Sequence, residues 1–281
     1  MASHSTNNEF HPSLSIAQLL SPPAKPIGTL RYVSESPAWH CVFSRDGEWL
    51  AACFGAPDLC IRIWKNDNGQ WNLHSTLDGI HSKSIRYIDF APLSSTQVLA
   101  AASFDGSVSV WEYEKKSNEW ECTTQLEGHE SEVKCVSWNA TGSLLATSGR
   151  DKTVWIWEVF LDGTIGGSSD NEFECISVLS GHEGDVKCVR FAASHGQWGD
   201  GDEILLSAGY DDTVRVWAED AGDWYCAMVI EDIHADTIWS LAVAPGSGRI
   251  ISASADGSIA IMKNYTVAER REMFPEQSTA T

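Results

Sequence analysis

Short runs of alternating apolar and polar residues recur along the chain, separated by turns rich in Gly, Asp, Asn and Ser. The clearest stretch starts at residue 126 and reads LEGHESEVKCVSWNATGSLLATSGRDKTVWIW. In this stretch and just after it, the alternation predicts strands at 133–138, 144–148, 153–157 and 174–179. Turn residues fill the gaps between these runs, so the pattern predicts a unit of four short antiparallel strands.

The same unit occurs five times along the chain. The copies end at Trp64, Trp111, Trp157, Trp217 and Met262. A period of about 45 residues with four strands per unit is typical of the blades of a β-propeller, in which each small sheet buries its faces against its neighbours. The longest step, before Trp217, contains two insertions, at 162–171 and 195–202.

The extent of the repeats defines the predicted domain organisation. We expect an all-β β-propeller domain at 26–262, with five recognisable four-stranded blades. The Ser-, Asn- and Pro-rich segment 1–25 is expected to be a disordered tail, and 263–281 a tail outside the repeats.

Each unit also repeats a set of polar residues at fixed offsets. An Asp precedes the closing residue by six positions in every copy, at Asp58, Asp105, Asp151, Asp211 and Asp256. Four residues before the Asp stands a hydroxyl in three copies, at Thr147, Ser207 and Ser252. Four copies carry a His, at His81, His129, His182 and His234. We expect the Asp to accept from the His, the His to bond the hydroxyl, and the hydroxyl to accept from the Trp indole.

The recurrence of this set argues for a structural role and against a catalytic one. The complete tetrads are His129, Thr147, Asp151, Trp157 and His182, Ser207, Asp211, Trp217. The second copy has Ala101 in the hydroxyl position, the first has Phe54 there and no His, and the fifth replaces the Trp by Met262. These three blades are expected to be looser, because a polar chain with a missing member leaves buried groups unpaired.

The composition excludes several functions. A net charge of −20 and a pI near 4.7 disfavour nucleic acid and anionic membranes as partners. No apolar run approaches the ~18 residues of a membrane span, and no signal peptide is recognisable. None of the eight cysteines forms a C-x-x-C pair. We expect small buried core thiols, spaced too far apart to share a metal, no bound metal or cofactor, and a location in the cytosol.

The polar set and its spacing resemble WD repeats, and finer features resemble one family of WD-repeat proteins. These features are the SGRDKTVWIWEV turn and strand, the W/F-E-C starts at residues 120–122 and 173–175, and the acidic hairpin EDAGDW at 219–224. Over residues 30–262 the chain is similar to the WD-repeat subunit of the cytosolic iron–sulfur protein assembly machinery. The resemblance implies a non-catalytic adaptor, and not the cluster carrier, in a complex with a small acidic partner and a large helical-repeat protein. That complex delivers iron–sulfur clusters to cytosolic and nuclear apo-proteins.

Partner contacts are expected on one rim, since loops at blade ends carry function. The residues just before the turn Asp are Phe104, Arg150, Tyr210 and Ala255, and weaker candidates at the starts of first strands are Glu132, Asp185 and Trp239. Arg150 stands out because an arginine in an acidic protein can meet a partner's carboxylate, and the resemblance also favours an arginine at this turn. The alternative is a solvated turn residue, or one that bonds a neighbouring blade.

Three questions stay open at this point. The family has seven blades and this chain shows five, so the sequence is either truncated, which we favour, or closes a smaller ring. A substrate receptor of a cullin-type ubiquitin ligase is an alternative scaffold, but W-D-x-R is missing after the third strand, where WEVF and WAED stand. A propeller enzyme would need a non-repeating set of titratable groups in the central channel, and the repeats do not supply one.

Overall fold

The protein was analysed as a computed structural model that describes residues 35–92, 97–160, 171–195, 200–244, 248–266, 268, 269 and 272. The chain divides into two units, Met1–Val33 and Ser34–Thr281, and every described residue belongs to the second. The predicted tail at 1–25 lies outside the described residues, as do most of the first predicted insertion and more than half of the C-terminal tail.

The described residues form five antiparallel sheets in chain order, which confirms the predicted all-β blades. Blade 1 contains β1 (Ala38–Phe43), β2 (Trp49–Phe54), β3 (Ile61–Asp67) and β4 (Gln70–Leu77). Blade 2 contains β5 (Ile85–Phe90), β6 (Val98–Ser103), β7 (Val108–Glu114) and β8 (Glu119–Leu126). Blade 3 contains β9 (Val133–Trp138), β10 (Leu144–Gly149), β11 (Val154–Phe160) and β12 (Glu172–Leu179).

The last two blades differ in strand number. Blade 4 contains β13 (Val186–Ala193), β14 (Glu203–Gly209), β15 (Val214–Asp220) and β16 (Asp223–Ile230). Blade 5 contains β17 (Ile238–Ala244), β18 (Arg249–Ser254) and β19 (Ile259–Lys263). The expectation of four strands in every blade is therefore wrong for blade 5 over the described part of the chain.

A helix start follows β19 where a fourth strand was expected. The Thr266 hydroxyl accepts a hydrogen bond from the backbone N–H of Glu269, and the Glu269 carboxylate accepts one from the backbone N–H of Thr266. This reciprocal pair is a capping box, which satisfies the free N–H groups at a helix N-terminus. The local sequence thus favours a helical turn over an extended strand.

Each blade follows from its apolar alternation and its turns. In blade 3, β9 pairs with β10, β10 with β11, and β11 with β12, so that the strands are in sequence order. The turn between the second and third strands of blades 2 to 5 contains one residue with positive φ, at Gly106, Lys152, Asp212 and Gly257. This left-handed residue follows the turn Asp and lets the chain reverse within two residues.

The core lies between blades. The first strands pack in succession, β1 on β5, β5 on β9, β9 on β13 and β13 on β17, and Leu205, Leu206, Ile238 and Leu241 are almost fully buried between blades 4 and 5. Among the described residues, β17 does not pack against β1 in this way. The outer blades accordingly keep exposed apolar faces, with Ile261 72% and Phe43 58% exposed. None of the described residues forms a helix long and apolar enough to cross a membrane.

Candidate functional site

Blades 3 and 4 contain a continuous chain of side-chain hydrogen bonds. His129 Nδ1 lies 2.7 Å from Asp151 Oδ2, and its Nε2 lies 2.8 Å from Thr147 Oγ1. The indole N–H of Trp157 donates to the same hydroxyl at 3.2 Å. In blade 4 the chain comprises His182, Ser207, Asp211 and Trp217, with distances of 2.6 to 2.8 Å. Every polar side-chain atom of these two tetrads has a hydrogen-bond partner, as expected for buried polar groups.

Blade 2 completes the same chain with a residue that the fixed offset did not identify. His81 Nε2 lies 2.8 Å from Ser109 Oγ, and the indole N–H of Trp111 donates to Ser109 Oγ at 2.8 Å. Ser109 lies on β7 directly opposite Ala101 of β6. The hydroxyl has therefore moved to the facing residue of the neighbouring strand, and the expectation that blade 2 lacks this link is wrong.

Blades 1 and 5 depart from the chain in different ways. In blade 5, His234 Nε2 lies 2.7 Å from Ser252 Oγ, but Met262 supplies no indole N–H. In blade 1, Arg62 Nη2 donates to Asp58 Oδ2 at 2.6 Å, and its guanidinium lies 4.4 Å from the centre of the Phe54 ring. A buried ion pair replaces the His and hydroxyl in this blade.

The turn aspartates are held as carboxylates by several donors. Burial acts to raise the pKa of Asp105, but hydrogen bonds from His81 and Ser107 outweigh it, so that the pKa lies below its usual range. The same balance lowers the pKa of Asp211, whose second oxygen accepts from the hydroxyl of Thr213. The sequence carries this additional donor as a Ser or Thr two residues after each turn Asp in blades 2 to 5. The oxygens of these turn aspartates already accept hydrogen bonds within the blade, so we assign them a structural role.

The two sets of rim residues predicted from the sequence lie side by side. In blades 2 to 5 the residue before the turn Asp donates its backbone N–H to a carbonyl at the start of the first strand. The bonds run from Phe104 to Ser84, Arg150 to Glu132, Tyr210 to Asp185 and Ala255 to Thr237, at 2.8 to 3.0 Å. This recurrent bond holds the turn against the start of the first strand and builds one rim from both sets.

Six side chains connect along this rim across blades 2 to 5, and we call them the rim stripe. They are Phe104, Lys134, Asp185, Lys187, Tyr210 and Trp239. The Lys134 ammonium lies 4.7 Å from the centre of the Phe104 ring and 3.4 Å from Asp185 Oδ2. Lys187 lies 3.3 Å from the same carboxylate and 3.6 Å from the centre of the Tyr210 ring. Tyr210 and Trp239 pack edge to face at 5.8 Å, and nearly half of each side chain is exposed.

Arg150 lies on the same rim. Its guanidinium donates to Glu132 Oε1 at 3.0 Å, and its side chain is 59% exposed. Hydrogen bonds from the Ser131 hydroxyl and from its own backbone N–H lower the pKa of Glu132 to about 2. Arg150 is thus oriented by a carboxylate and still open to solvent.

Sequence reasoning missed the two lysines of the stripe. Lys134 and Lys187 occupy the same place in the V-K-C runs of two copies, and that repetition was the available signal. Burial, together with the neighbouring Lys187 ammonium, lowers the pKa of Lys134. Two ammonium groups share one carboxylate here, so this trio carries one more positive than negative charge in an acidic protein.

A second, non-repeating group of polar residues lies between the first strands, and we call it the axial cluster. It consists of His40, Tyr87, Cys135, Cys188 and Arg190. The His40 and Tyr87 rings stack at 3.7 Å, and Arg190 donates to the Tyr87 hydroxyl and, at 3.3 Å, to Cys135 Sγ. Burial and the charges of Arg190 and Arg86 lower the pKa of His40 to about 4. The repeats did not reveal this cluster because its members come from four different blades, and apart from the two cysteines their residue types differ.

The axial cluster also corrects the interpretation of the cysteines. Cys135 and Cys188 were expected to lie far apart, but the thiol of Cys135 interacts with that of Cys188, since first strands converge between the blades. Cys41, Cys175 and Cys226 are exposed and not core residues. In the described part of the chain, no three His, Cys, Asp or Glu side chains are grouped to hold a metal ion.

A cavity of about 620 Å³ opens at the other ends of the first strands. Its lining includes Asp89, Trp138, Phe191, Glu203 and Val243. Asp89 accepts a hydrogen bond from the backbone N–H of Trp138 at 3.0 Å, and burial raises its pKa to about 7. Glu203 accepts from the Asn139 amide at 2.8 Å, so that the acidic groups of this cavity hold neighbouring turns in place.

Comparison with known proteins agrees with this geometry. The family model described as "WD domain, G-beta repeat" matches residues 24–65, 71–112, 120–158, 173–218 and 226–261. These five matches cover most of the chain, and each of the last four runs from the fourth strand of one blade to the third strand of the next.

Similar proteins share one name. The chain is 36% identical over 220 residues to "Probable cytosolic iron-sulfur protein assembly protein 1" of Chaetomium globosum, covering 60% of this chain and 48% of that protein. The protein of the same name from Botryotinia fuckeliana is 31% identical over 282 residues, or 80% and 62% of the two chains. The one from Candida glabrata is 38% identical over 254 residues, which is 74% of each chain. The chain therefore spans about half to three quarters of the length of these relatives.

Proposed function

The chain belongs to the WD-repeat proteins and, among them, to the family of cytosolic iron-sulfur protein assembly protein 1, and from this premise we propose that it is a protein-binding adaptor in cytosolic iron–sulfur cluster assembly. In this role it binds other subunits of a targeting complex and the apo-proteins that receive clusters. It works in the cytosol and, for nuclear clients, in the nucleus, and it catalyses no reaction of its own.

The observation that best supports the adaptor role is the composition of the rim. The rim stripe places two ammonium groups beside aromatic rings, and Arg150 adds an exposed guanidinium, on a protein with a net charge of −20. Aromatic side chains and arginine are the residues that contribute most to protein interfaces. The tetrads, in contrast, have their donors and acceptors occupied and are held inside the blades.

Within the rim, we propose that Arg150 binds a partner carboxylate. Its guanidinium keeps free donors while one N–H is bonded to Glu132, and an arginine fork can bind a second carboxylate. Phe104, Tyr210 and Trp239 then provide the apolar contact, and Glu132 and Asp185 orient the cations.

The test is reconstitution of the full chain with the other targeting-complex subunits and an apo-client. Co-purification supports the adaptor role, and failure of folded full-length chain to join the complex refutes it. Arg150→Glu should weaken client or subunit capture at least tenfold. Lys152→Glu, the same charge change two residues away on the same turn, is the matched control and should bind normally. Equal binding by both variants would place the contact away from Arg150 while leaving the adaptor role intact.

A further inference from the structure

Two cysteines of the axial cluster share one position in the repeat and meet between neighbouring blades. Cys135 lies on β9 and Cys188 on β13, and both are almost fully buried. Each sulfur lies 3.9 Å from the same atom, the carbonyl oxygen of Val189. The two thiols are therefore neighbours although 53 positions separate them in the sequence.

The surroundings of this pair are electropositive. Arg190 Nη1 donates to Cys135 Sγ at 3.3 Å, and the backbone N–H of Leu241 donates to Cys188 Sγ at 3.3 Å. A hydrogen bond from the Cys135 thiol lowers the pKa of Cys188, whereas burial raises the pKa of Cys135. Donors aimed at sulfur favour the thiolate, which is the reactive form. Each sulfur receives one such donor, and the lowered pKa of Cys188 makes it the better nucleophile of the two.

Other cysteines of the chain have different surroundings. Cys122, Cys175 and Cys226 lie on the fourth strands of blades 2, 3 and 4. Each thiol donates to the carbonyl two residues further along its own strand, at 3.6 to 3.8 Å. None of these three is next to another cysteine among its described contacts, so each of them lacks the resolving thiol that the axial pair has.

We propose that Cys135 and Cys188 are a redox-active dithiol that forms a disulfide with hydrogen peroxide as the oxidant. The Cys188 thiolate attacks one peroxide oxygen, the O–O bond breaks, and the hydroxide that leaves takes up a proton to become water. Cys188 is then a sulfenic acid. The Cys135 sulfur attacks the Cys188 sulfur, the S–O bond breaks, and a second water leaves with the Cys135 proton. Two thiols are oxidised by two electrons and one peroxide is reduced to two waters.

The disulfide would join blade 3 to blade 4 through their first strands. A covalent link between residues 135 and 188 restricts the unfolded chain, and we expect it to raise the Tm by roughly 5–10 °C. A thiol reductant should reverse the rise in Tm, because transient opening between the two blades exposes the disulfide to thiol–disulfide exchange.

The sequence makes the product easy to identify. Trypsin cleaves after Lys134, Arg150, Lys187 and Arg190, so the disulfide would link peptide 135–150 to the tripeptide 188–190. The full chain is treated with hydrogen peroxide, alkylated, digested without reductant and analysed by mass spectrometry. The linked peptide should form as the main disulfide and disappear after reduction.

Variants separate the pair from the other cysteines. Cys188→Ser and Cys135→Ser should abolish the linked peptide and the Tm increase, and Cys175→Ser should change neither. Serine is tolerated at this position, since Ser240 occupies it in blade 5. If Cys135 and Cys188 of the wild-type protein stay alkylatable as free thiols, or are oxidised separately without the link, the proposal is wrong. The wild-type measurement decides this even if a variant does not fold.

Discussion

Blades 2 and 3 contain the same chain of hydrogen bonds, but the hydroxyl at its centre comes from different strands. In blade 3 it is Thr147 of β10, opposite Trp155 of β11. In blade 2 it is Ser109 of β7, opposite Ala101 of β6. The His and the Trp indole need an oxygen at one point in space, and two facing residues of adjacent strands can both provide it. The physical requirement is a satisfied buried donor and acceptor, and the sequence position is secondary.

Removal of the relocated hydroxyl is the most direct way to break this equivalence. Ser109→Ala leaves His81 Nε2 and the Trp111 indole N–H buried without a partner. We expect the free energy of unfolding to fall by about 2–6 kcal/mol, at about 1–3 kcal/mol for each of the two unpaired groups. Urea unfolding followed by tryptophan fluorescence measures the loss.

Two further variants show whether the oxygen or its strand matters. The double variant Ala101→Ser with Ser109→Ala moves the hydroxyl to the position used in blade 3 and should recover most of the loss. Ser148→Ala removes a fully buried hydroxyl for which the described residues supply no partner, so it should be neutral or slightly stabilising. An equal loss in Ser148→Ala, or no recovery in the double variant, would contradict the explanation.

Asp89 is also a buried carboxyl of blade 2, but it does not belong to the hydrogen-bond chain of His81, Ser109 and Trp111, and its pKa shifts in the opposite direction to that of Asp105. Burial raises its pKa to about 7, whereas the His81 and Ser107 hydrogen bonds hold the pKa of Asp105 low. Between pH 4 and 7 the unfolded state ionises Asp89 while the folded state keeps the proton, so stability falls as pH rises and is level above 7. Asp89→Asn removes this dependence and keeps an oxygen that can accept from Trp138.

Between pH 4 and pH 8, the free energy of unfolding of Asp89→Asn should rise relative to that of the wild type by roughly 2–4 kcal/mol. The reason is that burial raises the pKa of Asp89 from 3.8 to about 7 in the folded wild type. Urea unfolding at both pH values gives the two differences directly. A difference between the proteins that does not change with pH would show that Asp89 titrates normally in the folded state.

Arg150 should have the smallest effect on stability. It stands next to Asp151, but its ion pair with Glu132 is on the surface and the arginine is 59% exposed. Exposed pairs contribute about 0–1 kcal/mol, so Arg150→Ala should lower the free energy of unfolding by less than 1 kcal/mol. Thermal unfolding at low and high salt measures it. A loss as large as that of Ser109→Ala would mean that Arg150 supports the blade, and its proposed role in partner binding would then need another explanation.

Much of the fold could be predicted because a blade is a local object. The apolar alternation predicted β9 at the residues where it lies, and the Asp-to-Trp offset identified the third strand of the first four blades. Blade 5 ends differently because Thr266 and Glu269 form a helix cap within four residues. This local signal is present in the sequence, but a prediction based on the repeat pattern does not take it into account.

The candidate site could be predicted only in part. The rim residues before the turn Asp could be named because the Asp recurs at a fixed offset, and in blades 2 to 5 one recurrent backbone bond holds them at the same place. Lys134 and Lys187 were missed because their importance comes from Phe104, Tyr210 and Asp185, which belong partly to other blades. The axial cluster was missed for the same reason, since Arg190 reaches Tyr87 across 103 positions of sequence.

The order of residues along the chain sets the strands, the turns and the position of each Asp, because these depend on hydrogen bonds and apolar faces within one repeat. Which residues meet between repeats depends on how the blades pack. Packing placed two ammonium groups around Asp185 and the Arg190 guanidinium beside the Cys135 thiol. These contacts join residues from neighbouring strands or blades, and their strength depends on burial and distance, which emerge only once the sheets are assembled.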